Sequence, residues 1–533
     1  MTRYDDLDRA PAWDKLRSLG RPRLGELLSP ARIASSSIPM GGGLSYNWAA
    51  SPVDEAVLAL LGRLAEEQEL VAKYRLLLDG EVMNTGEQRM VLHHLARGQL
   101  GRTVSHEGRD QRQFYEGERL KAADFARSVH GGRIRGSSGK AFSTVTQIGI
   151  GGSDLGPRAL YLALERWARA NGKLRMEARF ISNVDPDDAN AVLERLDLET
   201  SLFVLVSKSG TTQETLANES LLRERLRARG LDPAKHIVAV TSETSPLARN
   251  PGYLASFYID DFIGGRYSSS SMVGGVVLSL ALGSEAFADF LAGAHAADRA
   301  ALEGDISRNA ALLDAMIGVY ERSVLGYPCT VVLPYAEALS RFPAHLQQLD
   351  MESNGKRVNR RGEALSYSTG PVVFGEPGTN GQHSFYQLLH QGTDPLPLQF
   401  IGFLEGQTTG DCLVEGSTSR QKLNANLAAQ IVAFARGKAD ANGNRHFPGE
   451  RPSSLILGRQ LEPASLGALL AHYENKVMFQ GFAWNINSFD QEGVQLGKVL
   501  AKKALTGLAE GAAPASGDPV LDAYAKLLLG GRA

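Results

Sequence analysis

Two rhythms of apolar and polar residues run along this chain, and the switches between them mark its elements. Phe203-Val204-Leu205-Val206 is a run of four apolar residues, which fits a strand buried on both faces. It breaks into Ser207-Lys208-Ser209-Gly210-Thr211-Thr212-Gln213-Glu214, and Thr215-Leu216-Ala217-Asn218-Glu219 reads as a helix. Residues 144–150 predict another strand, followed by Gly151-Gly152-Ser153-Asp154-Leu155-Gly156-Pro157 and an Ala- and Leu-rich helix. Further strands are predicted at 178–181, 237–240 and 329–334, with helical stretches between them. Such alternation predicts an α/β fold of doubly wound parallel sheets, with ligands held at the carboxyl ends of the strands.

Before residue 120 the pattern is mostly helical. Residues 1–50 read as irregular, with Gly41-Gly42-Gly43 breaking any regular element. From 52 to about 79, Val57, Leu58, Leu60, Leu61 and Leu64 fall on one helix face. A second helix is predicted from residues 84–89, with Thr85 as its N-cap, through Val91, Leu92 and Leu95. His93 and His94 are read as helix-face residues, not metal ligands. The expected organisation is a helical segment at 1–119 that packs on the second domain, a smaller α/β domain at 120–284, a larger one at 285–509, and a linker with a C-terminal helix at 510–533. An Ala/Gly/Pro-rich linker is expected over 510–518 and a docking helix over 519–529.

Composition narrows the function classes. The chain has 533 residues, 43% hydrophobic and 22% charged, with a formal net charge of −2. It carries no long block of like charge, so neither nucleic acid nor an anionic membrane is an expected partner. Its two cysteines, Cys329 and Cys412, fit a reducing compartment and form no C-x-x-C pair. The N-terminus lacks an apolar signal core and no run of about 18 apolar residues occurs, so the expected location is the cytoplasm.

The chemistry sits where strands break into loops. Ser207, Ser209, Thr211, Thr212 and Lys208 surround Gly210 at a helix start, a set of donors that suits a phosphate better than a lone N-cap does. No Walker loop is present. Gly264-Gly265-Arg266-Tyr267-Ser268 permits close backbone approach, and Arg266 could hold developing negative charge; a plain surface loop reads equally well. Glu352, beside Met351 near a helix stop, is either a surface glutamate or a carboxylate whose partial desolvation suits it to be a base. His383 ends the turn-dense stretch Gly378-Thr379-Asn380-Gly381-Gln382 and could move protons. His390 is read as structural. Lys498, on a helix two turns after Gln491, reads as solvated when taken alone.

Taken together, these segments are similar to the glucose-6-phosphate isomerase family. The resemblance is carried by residues 148–157, Ser207–Thr215, Gly264–Ser268, Met351-Glu352-Ser353-Asn354-Gly355-Lys356, Gly378–His383 and 489–498, in the family's order, from about Leu44 to Lys503. It implies two sugar-isomerase-type domains and interconversion of glucose 6-phosphate and fructose 6-phosphate through an enediol, in glycolysis and gluconeogenesis. No metal and no cofactor are implied. Residue by residue, it makes Glu352 the proton shuttle, Arg266 the stabiliser of the enediolate, and His383 with Lys498 the ring-opening pair. Gly152, Ser153, Ser207, Lys208, Ser209 and Thr212 would hold the phosphate, and Gln348 and Gln491 would line the sugar pocket. It also implies a homodimer with His383 contributed across the interface. Ser269-Ser270-Ser271 stands where the family has bulkier residues, the stretch 395–400 is unusual in detail, and the first 40 residues match no part of the family pattern. A sugar-phosphate sensor without chemistry, or an isomerase acting also on mannose 6-phosphate, are the alternatives.

Overall fold

The structure is a computed structural model and describes residues 2–509 and 516–528. The chain forms a large unit ending at Ser488 and a small one beginning at Phe489.

The first 50 residues are not irregular. Helices Pro11–Ser18, Leu24–Leu27 and Pro30–Ser35 lead into a hairpin of β1 (Ser37–Gly41) and β2 (Leu44–Asn47). Ile38, Met40, Leu44 and Tyr46 alternate with exposed or half-buried residues, a strand rhythm too short to stand out beside three glycines. Those glycines make the hairpin instead of ending it: Gly42 and Gly43 have φ of 55° and 73°, the left-handed values a two-residue turn requires. A second expectation also fails. Residues 84–89 close an antiparallel bridge, with Asn84 Oδ1 accepting from Glu87 N at 3.2 Å, in place of a helix capped by Thr85. Turn-forming Asn84 and Gly86 outweigh the apolar spacing that follows, of which only the short turn His93–Ala96 is helical.

The first sheet holds β3 (Thr144–Ile148), β4 (Glu177–Ile181), β5 (Ser201–Val206), β6 (Ile237–Ser242) and β7 (Ala255–Ile259). Its order is β4-β3-β5-β6-β7, every pair parallel. All six residues of β5 are buried, as a strand covered on both faces must be. The strand order reverses at β3, whose neighbours β4 and β5 lie on opposite sides. A crevice therefore opens at the carboxyl ends of β3 and β5, where the two glycine-hydroxyl loops begin.

The second sheet holds β8 (Cys329–Pro334), β9 (Val372–Phe374), β10 (Leu398–Phe403) and β11 (Ser453–Gly458). These four are parallel, and the N-terminal hairpin extends them antiparallel in the order β1-β2-β11-β10-β8-β9. Helix Pro463–Ala483 is buried along almost its whole length. It brings His472 Nε2 and Lys476 Nζ to 2.9 and 3.0 Å from the Asp314 carboxylate, which also accepts from Tyr46 and Gln399. Burial alone would raise that carboxyl, but Lys476 and His472 hold it well below its usual range.

Glu321 lies near this cluster without such partners, and burial pushes its carboxyl up to about 8, helped by Asp314. The folded protein therefore holds this proton more tightly than the unfolded chain does. The Glu321 contribution to stability falls as pH rises from the ordinary carboxylate range to about 8, and then levels off. Glu321→Gln is expected to raise the unfolding midpoint progressively, from little gain near about pH 5 to its full gain above about pH 8. Thermal melts of both proteins across that range check it.

The small unit holds the turn Glu492–Val494 and helices Gln495–Ala509 and Pro519–Leu528. Within the linker and tail expected at 510–529, residues 510–515 and 529 lie outside the described residues. Among the described residues, no helix is long and apolar enough to cross a membrane.

Candidate active site

Three loops converge at the crevice. After β3 the chain makes the tight turn Gly151–Ser153, with Gly151 at φ 61°, and enters helix Leu155–Ala170. After β5 it folds over Ser207–Thr212 into helix Gln213–Ala228. Here Ser207 Oγ lies 3.1 Å from Thr212 Oγ1 and accepts from Gly210 N, while Ser209 Oγ accepts from Thr211 N. Thr212 occupies the N-cap position but makes no capping bond, so the helix's first N–H groups remain available to an anion. Lys208 Nζ stands at the loop, 3.5 Å from Asp261 Oδ1.

The third loop is the turn Gly265–Ser270. A Cβ on Gly152 would lie 2.2 Å from the carbonyl carbon and oxygen of Gly265, so the two backbones touch. Gly152→Ala must push these loops apart, and is expected to cost about 1–3 kcal/mol of stability. Urea unfolding measures this; an unchanged midpoint would contradict the close approach. Gly151 lies against the next element more loosely: a Cβ there would be 3.4 Å from Gln348 Nε2, an ordinary van der Waals contact.

Gln348 belongs to the π-helical turn Gln347–Glu352, which continues the short helix Phe342–Leu346. Such turns are frequent at functional sites. This one ends on Glu352, whose carboxylate Oε2 lies 3.4 Å from Arg266 Nη1. The two side chains are 22% and 1% exposed, so Arg266 is no surface arginine and Glu352 no free surface glutamate. Arg266 also donates from Nε to Ser353 Oγ and from Nη2 to the Ser488 carbonyl, each at 2.7 Å. Lys356 Nζ bonds the carbonyls of Glu352 and Ser353 at 3.0 Å, tying off the turn. Asp350, two residues before Glu352, is buried, and that burial pushes its carboxyl up to about 6.

His383 stands apart from this pair. It ends the turn Asn380–His383 and is exposed, at the carboxyl end of β8. Its loop is braced: Gly378 N donates to the Pro334 carbonyl, and Tyr335 OH, Asn426 and Gln382 form a chain of bonds of 2.9 Å. Among the described residues, no hydrogen bond or ion pair joins His383 to Glu352 or Arg266. His390, by contrast, stacks on Phe434 and bonds Gln430. Gln491 and Lys498 lie in the small unit, the first just before the turn Glu492–Val494 and the second in helix Gln495–Ala509. Ser353 and Tyr267 were not singled out by the sequence reading, which had no signal for a contact spanning 86 residues. Among the described residues, no group of His, Cys, Asp or Glu has the arrangement of a metal site.

Comparison with known proteins accounts for this arrangement. The family model described as phosphoglucose isomerase matches residues 47–523. Glucose-6-phosphate isomerase of Treponema denticola is 61% identical over 501 residues, spanning 94% of this chain and 93% of its own. The Treponema pallidum protein of that name is 60% identical over 532 residues, 98% of each chain, an alignment that takes in most of the first 40 residues. A crystal structure of a glucose-6-phosphate isomerase from Chlamydia trachomatis superposes with a TM-score of 0.90 at 43% identity, over 98% of this chain and 99% of that one. This chain belongs to the phosphoglucose isomerase family.

Proposed function

We infer that this protein interconverts glucose 6-phosphate and fructose 6-phosphate, the aldose-ketose step shared by glycolysis and gluconeogenesis. One observation carries the reading: a carboxylate and a nearly buried guanidinium, Glu352 and Arg266, face each other beside two loops built to receive a phosphate.

The roles follow from what the reaction needs. Ser207, Lys208, Ser209 and Thr212, with the N–H groups of helix Gln213–Ala228 and the loop at Gly152 and Ser153, take the phosphate. Gripping that remote group orients C1 and C2 over Glu352. Gln348 and Gln491 line the sugar. His383 and Lys498 open the ring: His383 gives a proton to the ring oxygen as the C1 hydroxyl gives one up to water. Glu352 then removes the C2 proton and the electron pair moves onto the C1 oxygen, leaving an enediolate. Arg266 stabilises that charge with donors already in place. A proton passes from the C2 hydroxyl to the C1 oxygen and the same carboxyl returns its proton to C1, giving the ketose; the reverse sequence gives the aldose.

His383 makes no hydrogen bond to Glu352 within its own chain, and this supports a homodimer in which His383 of the partner subunit completes each site. The divisions 120–284 and 285–509 serve as the two sugar-isomerase halves, and the working location is the cytoplasm. The test is formation of glucose 6-phosphate from fructose 6-phosphate, coupled to glucose-6-phosphate dehydrogenase. Turnover is expected. Tight binding of the sugar phosphate without turnover would favour a sensor, a reading that has no use for the Glu352–Arg266 pair. Comparable turnover of mannose 6-phosphate would broaden the substrate class.

A further inference from the structure

We propose that Ser353 and Tyr267 are positioning residues that set the Arg266 guanidinium at the angle its role requires. The inference rests on the isomerase reading above. A planar guanidinium is oriented once two of its edges are fixed. In Arg266 these are Nε, which donates to Ser353 Oγ, and Nη2, which donates to the Ser488 carbonyl. Nη1 is thereby presented to Glu352. Ser353 is 0% exposed, and the Tyr267 hydroxyl holds its Oγ in turn at 3.0 Å.

Tyr267 is itself clamped. Its ring stacks on His93, with centroids 5.0 Å apart and planes at 27°. The turn that bears both Arg266 and Tyr267 is closed by its serines. Ser268 Oγ donates to the Gly265 carbonyl, and Ser271 Oγ to the Ser268 carbonyl. Ser270 Oγ accepts from Arg97 Nε. Arg97 is anchored by the buried carboxylates of Asp298 and Glu474. Small residues are required along this run. A Cβ on Gly274 would lie 2.2 Å from the Ser269 carbonyl oxygen, and one on Gly156 would run into Ser269 Oγ. Ser268, Ser270 and Ser271 thus form a dense polar brace behind Arg266. Such a brace matters because donors to a developing charge act only when already aimed at it.

The test is a double-mutant cycle of Ser353→Ala with Arg266→Lys, which has no Nε donor. The readouts are kcat, KM for fructose 6-phosphate, and inhibition by a hydroxamate sugar phosphate that mimics the enediolate. Ser353→Ala is expected to lower kcat and inhibitor affinity together by about 10- to 100-fold while KM changes less than about threefold. In the Arg266→Lys background the same change should cost less than about threefold, because the two act as a unit. Tyr267→Phe deletes one hydroxyl without emptying space, and should give a smaller loss of the same kind, about three- to tenfold, even if Ser353→Ala folds poorly. Equal costs in both backgrounds, or kcat and inhibitor affinity within about twofold of wild type in Ser353→Ala and Tyr267→Phe, would overturn the proposal. Full activity in Arg266→Lys would instead overturn the role given to Arg266 itself, and the brace with it.

Discussion

Glu352→Gln is expected to lower kcat for fructose 6-phosphate by about 10³-fold or more, since a positioned base contributes 10²–10⁴-fold and this one must act at two carbons. That loss corresponds to about 4 kcal/mol of barrier. Glutamine matches the shape of glutamate but cannot take a proton from C2 or return it to C1. The loops proposed to hold the phosphate do not depend on it: the donors assigned to them are Ser207, Ser209, Thr212 and the helix start, on a different sheet. Arg266 also keeps its bonds to Ser353 and Ser488 when the carboxylate is gone, so the buried guanidinium is not stranded. Binding of the sugar phosphate, measured calorimetrically, should therefore change little while turnover collapses. A variant within tenfold of wild type would remove Glu352 from the mechanism while leaving the reaction intact.

The second large effect concerns the proposed dimer. Glu352→Gln and His383→Ala are each expected to be nearly inactive, and neither should recover alone. Unfolded together in equal amounts and refolded, they should regain about a quarter of wild-type activity, because half the dimers are mixed and each mixed dimer has one site free of both lesions. This arithmetic holds only if His383 serves the other subunit's Glu352. Were both residues to work within one chain, every site would carry a lesion and mixing would restore nothing. His383 is exposed, on a loop braced by Tyr335, Asn426 and Gln382.

Much of this was legible before any coordinates. Phe203–Val206 announced a buried strand by composition alone, and the hydroxyls after it could only form a loop. Gly151 and Gly152 signalled a tight turn after another strand. Residue types thus located each loop, but not what the loops touch. Gly152 meets Gly265 across 113 positions, and Arg266 meets Glu352 across 86, distances over which local patterning carries no information. The N-terminal hairpin was missed because its strands are short and its glycines, read as breakers, are the turn. The supposed helix after Thr85 failed because Asn84 and Gly86 favour a turn that apolar spacing does not reveal. Ser353 and Tyr267 drew no notice for a different reason. A serine and a tyrosine acquire a role here only through burial and the guanidinium they hold.

The proposed mechanism has Glu352 carry a proton between C2 and C1 of a phosphorylated sugar. It is tested most directly by running the wild-type reaction on fructose 6-phosphate in deuterated water and reading C2 of the product by NMR. A carboxyl that gathers the proton and can exchange it with solvent predicts glucose 6-phosphate carrying deuterium at C2. Product that keeps only the substrate's own hydrogen at every stage of the reaction would contradict the account, as would the absence of any glucose 6-phosphate.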